Sequence, residues 1–395
     1  MFFRFSERQK KMMRMAIIPT NEDYDREKEI KQFDESKTGV KGLVDSGLTS
    51  IPRFFIQPAE TLSDLKPPVP ILSSTRPESN HPIPIIDLSG SNNYDRRSTI
   101  VDQIRRAARE FGFFQITNHG IPLETLDRTI AAIKGFHEQP TETKVRFYRR
   151  EMGIDVSYIS NVDLHRSKAA SWRDTLTVIL GPKVLEPEKL PEICRDEVVS
   201  WDREVVKVGE LLMGLLSEGL GLSTGRLKEM TCLEGRVMVG QYYPHCPQPD
   251  LTVGLTSHTD PAILTVLMQD QTGGLQIKSG GAWIDVEPVP GALVINVGDF
   301  LQIISNDEYK SVEHRVLANS SREPRVSVVV FFNVSKREEL LGPLPELVSP
   351  EKPTLFRQFT LSEFMGRYFS KELNGKTINY YRLCDTPVEG NCGDE

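Results

Sequence analysis

From Arg236 onward the chain is cut into short apolar runs by turn residues, a punctuation that no all-helical fold accommodates. Strands are predicted at Val237–Tyr243, Ile263–Met268, Gly274–Lys278, Trp283–Val286, Leu293–Val297, Phe300–Ser305, Val312–Leu317 and Arg325–Asn333, with Gly280-Gly281 and Pro290-Gly291 as turns. So many strands at such close spacing imply an antiparallel sandwich or barrel, a jelly roll with a cavity between its two sheets. Upstream the period lengthens. Ile100, Val101, Ile104, Ala107, Ala108 and Phe111 recur at helical spacing, with Ser98 or Thr99 as the start cap and Gly112 as the stop. A second helix is expected over Leu123–Phe136. A third begins near Asp196, where Val198, Trp201, Val205, Val208, Leu212 and Leu215 make one stripe to lie against a sheet. Six prolines between residues 66 and 84 mark an extended surface linker. The fold class is mainly β with flanking α: a double-stranded β-helix (jelly roll) core with an N-terminal helical/mixed region.

Two patterns within this frame carry chemistry. Alternation with period two puts His258 and Asp260 on the same side of an extended segment, with Thr259 turned away. His314 stands in a second strand-like run, Ser311–Val316. Two imidazoles and one carboxylate on one face of a metal leave the opposite positions open, the donor set that suits Fe(II) and O2. Arg325 and Ser327 then share one face of a strand that is otherwise a continuous β-branched and aromatic run. A guanidinium entering such a strand is costly unless an anion satisfies it, and its planar fork matches a carboxylate. The expected guest is a dicarboxylate.

The run Gln241-Tyr242-Tyr243-Pro244-His245-Cys246-Pro247-Gln248-Pro249, with the order and spacing of the motifs from there to Phe332, resembles the plant 2-oxoglutarate and Fe(II)-dependent dioxygenases. Ile83-Pro84-Ile85-Ile86-Asp87-Leu88 and Gly112-Phe113-Phe114-Gln115-Ile116-Thr117-Asn118-His119-Gly120 are similar to the family's leading segments. The earlier stretch from Phe33 to Asp45 is similar to the branch of the 1-aminocyclopropane-1-carboxylate oxidase homologues, deacetoxyvindoline 4-hydroxylase and the benzoxazinoid-glucoside dioxygenases. The resemblance implies that His258, Asp260 and His314 bind Fe(2+), that Arg325 and Ser327 hold the distal carboxylate of 2-oxoglutarate, and that Tyr243 adds a phenolic hydrogen bond. Phe331, on the face of Arg325 and Ser327 by parity, is read either as cavity lining, where the resemblance places an aromatic wall against substrate, or as core packing. Tyr158 and Asn161 resemble a stretch that closes over substrate in relatives and are read as pocket residues. The flavonoid branch has asparagine where this chain has Gln241, which is read either as a cosubstrate contact or as an ordinary strand residue. The implied reaction hydroxylates, O-demethylates or desaturates a small specialised plant metabolite, converting 2-oxoglutarate and O2 to succinate and CO2, with ascorbate as reductant. Two alternatives stand beside it. One is an ascorbate-dependent oxidase of the ethylene-forming type, against which the extension before Ile83 speaks. The other is a non-catalytic binding jelly roll, which would need neither the iron ligands nor the Arg-x-Ser pair.

Composition sets the outer limits. At 395 residues, 38% hydrophobic and 26% charged, the chain has the make-up of an ordinary globular protein. No segment reaches the ~20 apolar residues of a membrane span. A net charge of -7 without a basic cluster argues against a nucleic-acid partner and for a small molecule. Five cysteines without CxxC spacing suggest reduced thiols in a cytoplasmic setting, and a monomer is expected. Cys246 is read as a packed thiol, and Cys384 and Cys392 as adventitious. The first 18 residues hold five basic groups and one acid, a weak likeness to a transit peptide read here as a tail, with Met15 as an equal start. The organisation expected is a tail at 1–20, an N-terminal extension and linker at 21–82, a mixed region at 83–230, the jelly roll at 231–340, and a C-terminal helix and tail at 341–395. His119 is read as structural, His245 as exposed, and Asp299 as a turn residue, while His137 and His165 have no partner spacing.

Overall fold

The structure is a computed structural model that describes residues 24–65, 83–151, 153–370 and 376–383. The expected N-terminal tail, the proline-rich linker up to residue 82, Cys384 and Cys392 lie outside the described residues. Strands form at β1 (Ile85–Asp87), β2 (Phe113–Thr117), β3 (Val156–Ile159), β4 (Asp174–Ile179), β5 (Gly235–Tyr243) and β6 (Val253–His258). They continue with β7 (Leu264–Gln269), β8 (Leu275–Ser279), β9 (Ala282–Asp285), β10 (Leu293–Val297), β11 (His314–Leu317) and β12 (Arg325–Asn333). An eight-stranded sheet runs β1-β2-β10-β7-β12-β5-β4-β3, and a four-stranded sheet runs β6-β11-β8-β9. Every pairing is antiparallel except β1 with β2. This is the double-stranded β-helix expected, enlarged by β1–β4 and β6, which the turn punctuation alone does not reveal. Of these, β1–β4 extend the large sheet with chain from before residue 230, so one sheet spans the mixed region and the jelly roll, while β6 joins the four-stranded sheet.

The central strands of the large sheet are buried on both faces, by different neighbours. In β12, Val326, Val328, Val330 and Phe332 belong to one apolar core with Ile133, Phe136, Val205 and Leu212 of the helices. Arg325, Ser327, Val329, Phe331 and Asn333 point the other way, into a cavity. That two-sided burial is why the run lacks alternation in the sequence. The helix at Arg195–Gly219 packs against those at Tyr94–Glu110 and Leu123–Glu138, and the latter lies on β12 and β5. Gly240 of β5 allows the close approach: a Cβ there would stand 2.8 Å from Ile133 Cγ2.

Two expected elements are corrected. Phe300–Ser305 is not a strand; Asp299–Ile304 is a helix whose six residues are all buried, Asp299 and Gln302 included, so no exposed polar face sets a period to read. The first long helix starts at Tyr94, a turn before the expected Ser98 or Thr99, because Asn93 Oδ1 accepts from the backbone N–H of Asp95 at 3.1 Å and of Arg96 at 3.4 Å. Its stop is as expected: Gly112 follows with φ of 62°.

The extension before Ile83 is anchored to the same body. Phe33, Phe54 and Phe55 pack together and against Trp172 just before β4. Burial of each such ring stabilises by about 1.5–3 kcal/mol, enough to hold the segment in place. Asp174, the first residue of β4, accepts from the backbone N–H groups of Val40 and Lys41 at 2.8 Å each and from Ser160 Oγ at 2.7 Å. Among the described residues no helix is long and apolar enough to cross a membrane.

Candidate active site

Between the sheets lies a cavity of about 730 Å³. Odd-numbered residues of β3, β4, β5, β7 and β12 line it, together with Val294 and Asn296 of β10. His258 ends β6 and His314 begins β11, and the antiparallel register places them opposite each other, with ring centroids 4.3 Å apart. Asp260 lies two residues past the end of β6, held by its own carbonyl, which accepts from the N–H groups of Ala262 and Asp299. One ligand atom from each of the three comes within 4.8 Å of the others, and all three residues are buried.

Hydrogen bonds settle which atoms face inward. The Nδ1 of His258 lies 2.9 Å from Thr256 O and that of His314 lies 3.2 Å from Val312 O. A carbonyl can only accept, so both Nδ1 atoms carry protons and the Nε2 atoms turn toward Asp260. Asp260 Oδ2 accepts from Thr265 Oγ1 at 2.7 Å and Asn296 Nδ2 at 2.8 Å. Its Oδ1 is thereby left for the two histidines, each Nε2 standing 3.5 Å away. That is wider than the roughly 2.7–3.2 Å of a direct N–H···O bond, and it is room for a shared cation. Burial alone would raise Asp260, but His314 and His258 outweigh it and hold the carboxyl well below the usual range. Burial and the neighbouring His314 lower His258; burial also opposes charge on His314, but Asp260 outweighs that and raises it. Two neutral-capable imidazoles and one ionised carboxylate fit a divalent metal, and His258, Asp260 and His314 could hold one.

Arg325 is almost fully buried on the same cavity. Its guanidinium donates to Gly273 O at 2.6 Å, Gln269 Oε1 at 2.7 Å and Ser327 Oγ at 3.1 Å, all neutral oxygens. Among the described residues no carboxylate forms an ion pair with it. Ser327 accepts that bond, so its hydroxyl hydrogen remains free to donate. Tyr243 pairs with Arg325 across β5 and β12, its ring 4.9 Å beneath the guanidinium. Gln241 lines the cavity and accepts from Thr175 Oγ1 at 2.8 Å.

Phe331 lines the cavity as expected from its parity. Tyr158 and Asn161 do not, and this corrects their reading as substrate contacts. Tyr158 points to the helix side of β3 among Phe136, His137 and Tyr148, while Ser157 and Ile159 on either side of it face the cavity. Asn161 is tied to Ser171, donating to its O at 3.0 Å and accepting from its N at 2.9 Å. Thr265, Asn296, Gln269 and Arg173 are the site residues that no motif marks. His119 is structural, its Nε2 2.9 Å from Gly291 O, and Cys246 is a buried thiol pushed up by burial to about 11. His245 is only partly exposed, bonded through Nδ1 to Ser321 O at 3.0 Å. Asp299 opens the buried helix instead of a strand, its Oδ2 accepting from Thr259 Oγ1 at 3.0 Å.

A jelly roll with a His-Asp-His cluster facing a buried arginine defines the class of non-haem iron oxygenases. Residues 234–334 match the model of the 2OG-Fe(II) oxygenase superfamily, and residues 83–193 match that of the non-haem dioxygenase in morphine synthesis N-terminal. The chain is 48% identical over 364 residues to 1-aminocyclopropane-1-carboxylate oxidase homolog 4 of Arabidopsis thaliana, covering 92% of this chain and 100% of that one. It is 44% identical over 367 residues to a probable 2-oxoacid dependent dioxygenase of the same plant, covering 92% and 99%. Among solved structures it is similar to JOX2 in complex with 2OG, Fe and JA, with a TM-score of 0.76 and 31% identity over 88% of this chain and 98% of that one. The chain belongs to the 2OG-Fe(II) oxygenase superfamily and is a 2-oxoglutarate-dependent dioxygenase. Fe(2+) and 2-oxoglutarate are the cofactor and cosubstrate that membership implies.

Proposed function

We propose that this enzyme hydroxylates, O-demethylates or desaturates a small specialised plant metabolite, with 2-oxoglutarate and O2 going to succinate and CO2. The observation that carries the reading is Arg325, a buried cation with only neutral partners, on the same cavity as His258, Asp260 and His314. In this reading those three residues hold Fe(II), which when bound supplies the redox chemistry with O2. Arg325 and Ser327 grip the far carboxylate of 2-oxoglutarate, and Tyr243 sits beside it. The work of the chain is positioning: two points of attachment fix the cosubstrate so that it cannot rotate out of line. Thr265 and Asn296 keep Asp260 turned toward the metal, and the carbonyls of Thr256 and Val312 keep both imidazoles in the ligating tautomer. Val329, Phe331 and the apolar wall around them give the substrate a dry surface. Complexes of JOX2 with 2OG and Fe support the same pair of small molecules here. The reading includes ascorbate as reductant and a cytoplasmic monomer, to which the buried unpaired thiols of Cys194, Cys232 and Cys246 are suited.

The test is an anaerobic titration of the apoprotein with Fe(II) and then 2-oxoglutarate, followed by the visible charge-transfer band that a 2-oxo acid gives on Fe(II). Arg325→Ala is expected to weaken 2-oxoglutarate binding by about 2–5 kcal/mol, the cost of stripping one partner from a buried charge pair. An affinity left unchanged would sink the assignment of β12 as the anchor. Iron binding without any band would favour a different cosubstrate.

A further inference from the structure

We infer that the substrate carries a carboxylate and that Arg173 receives it, an assignment that rests on the cosubstrate site proposed above. Arg173 immediately precedes β4 and has the parity of Thr175, Thr177 and Ile179, which line the cavity with it. It is only 6% exposed. Its Nε is buried without a hydrogen-bond partner, and among the described residues its guanidinium forms neither an ion pair nor a side-chain hydrogen bond. The flanking residues fix its direction. Trp172 donates its backbone N–H to Val253 O at 2.8 Å and its Nε1–H to His245 O at 3.2 Å, while Asp174 is gripped from the opposite face by Val40 and Lys41. A buried guanidinium cannot be neutralised by losing its proton, so an anion must come from elsewhere.

The cavity has few to offer. Its lining carboxylates are Asp260 and Glu151. Asp260 is committed to Thr265, Asn296 and the two histidines, and Glu151 is exposed at the rim. Asp163 lies near enough for its charge and that of Arg173 both to act on Tyr368, but not within ion-pair distance of Arg173. One dicarboxylate satisfies Arg325 and leaves Arg173 over. Arg149 and Arg337, both exposed, add positive charge to the lining, a field that draws anions toward the cavity. Between these cations the wall is apolar, with Ile159, Val239, Leu267, Val329, Phe331 and Met365. The ligand that fits is an apolar body ending in an acid, and a cationic amine is disfavoured.

The test uses the full chain with Fe(II) and 2-oxoglutarate under anaerobic conditions. Its probes are hydrocinnamic, naphthylacetic and cyclohexanebutyric acids, each beside its primary amide. Calorimetry gives affinities, and succinate release in air gives turnover. Wild type is expected to prefer acids over their amides by on the order of tenfold, and Arg173→Gln to reduce that preference to about one while 2-oxoglutarate affinity stays within about twofold. Arg173→Lys, which keeps the charge without the fork, is expected to retain part of the preference. Acids no better than amides in wild type, including no binding by either, would overturn the inference whether or not the variants fold. So would an acid preference that survives in Arg173→Gln. A loss of 2-oxoglutarate affinity in Arg173→Gln matching that in Arg325→Ala would assign Arg173 to the cosubstrate instead. Arg325→Ala separates the two claims: unchanged 2-oxoglutarate affinity there counts against the cosubstrate site, whereas the acid-to-amide ratio reads Arg173 alone.

Discussion

Asp260 owes its orientation to two side chains that no motif names. Thr265 and Asn296 both donate to its Oδ2, and only that arrangement leaves Oδ1 for a metal shared with His258 and His314. Asn296→Leu is expected to lower Fe(II) or Co(II) affinity by roughly 10–100-fold, as loss of a partner behind a metal ligand generally does. Competition against a chelator would measure it, and an unchanged affinity would mean that Thr265 suffices. The candidate ligands were legible as a His-x-Asp pair and an Arg-x-Ser pair; only the second is a consequence of period two, since Asp260 lies past the end of β6 and is placed by the N–H groups of Ala262 and Asp299. Thr265 and Asn296 were not, since they reach Asp260 only through the strand order β10-β7-β12, which no local pattern encodes. Tyr158 went astray for a related reason. Parity divides β3 into two sets, but only the packed helices decide which set faces inward.

At the scale of elements, the contact between the Leu123–Glu138 helix and β5 sets how closely the helical layer approaches the sheet. Gly240→Ala would drive a methyl group into Ile133, and overpacking of that kind typically costs about 1–3 kcal/mol. Urea denaturation should show the loss, with 2-oxoglutarate affinity changed little because residue 240 faces away from the cavity. His137, on the same helix, is fully buried, stacked on Tyr242 and bonded through Nε2 to Gly240 O at 3.1 Å. Burial, with the Lys144 charge beside it, lowers its pKa to about 3 from 6.5. The unfolded chain therefore takes up a proton below pH 6.5 that the folded chain refuses. The stability His137 contributes is complete above that pH and drains away as pH falls toward about 3. Between about pH 7.5 and about pH 5 this residue should cost about 2 kcal/mol, and His137→Gln should flatten the decline by that amount. Equal slopes in the two proteins would place the acid sensitivity elsewhere. The long helices were readable because each buries one stripe; the Asp299–Ile304 helix was not, because a helix buried on every side has no stripe.

In the proposed reading the whole molecule ties its stability to its small-molecule partners, since His258 and His314 stand on the four-stranded sheet and Arg325 on the large one. Ligands that bind only the folded state stabilise it by about 2.7 kcal/mol at a hundredfold excess over Kd. Anaerobic thermal melts should therefore rise in two steps, once with Fe(II) and again with 2-oxoglutarate. Arg325→Ala should keep the first step and lose the second; a variant that keeps both would detach the arginine from the cosubstrate. Jelly-roll architecture was foreseeable from the turn spacing after Arg236. The union of β1–β4 with that sheet was not, because long-range pairing leaves no mark on sequence beyond a few apolar residues.

The strands of the large sheet answer to two masters. Even-numbered side chains of β4, β5 and β12 meet the helices, and odd-numbered ones meet whatever enters the cavity. Selection for folding and selection for chemistry thus act on interleaved, physically separate sets of residues. Positions such as Thr177, Val239 and Phe331 can be exchanged without disturbing the framework that carries them, so a scaffold of this kind acquires new substrates by rewriting every second letter of its strands.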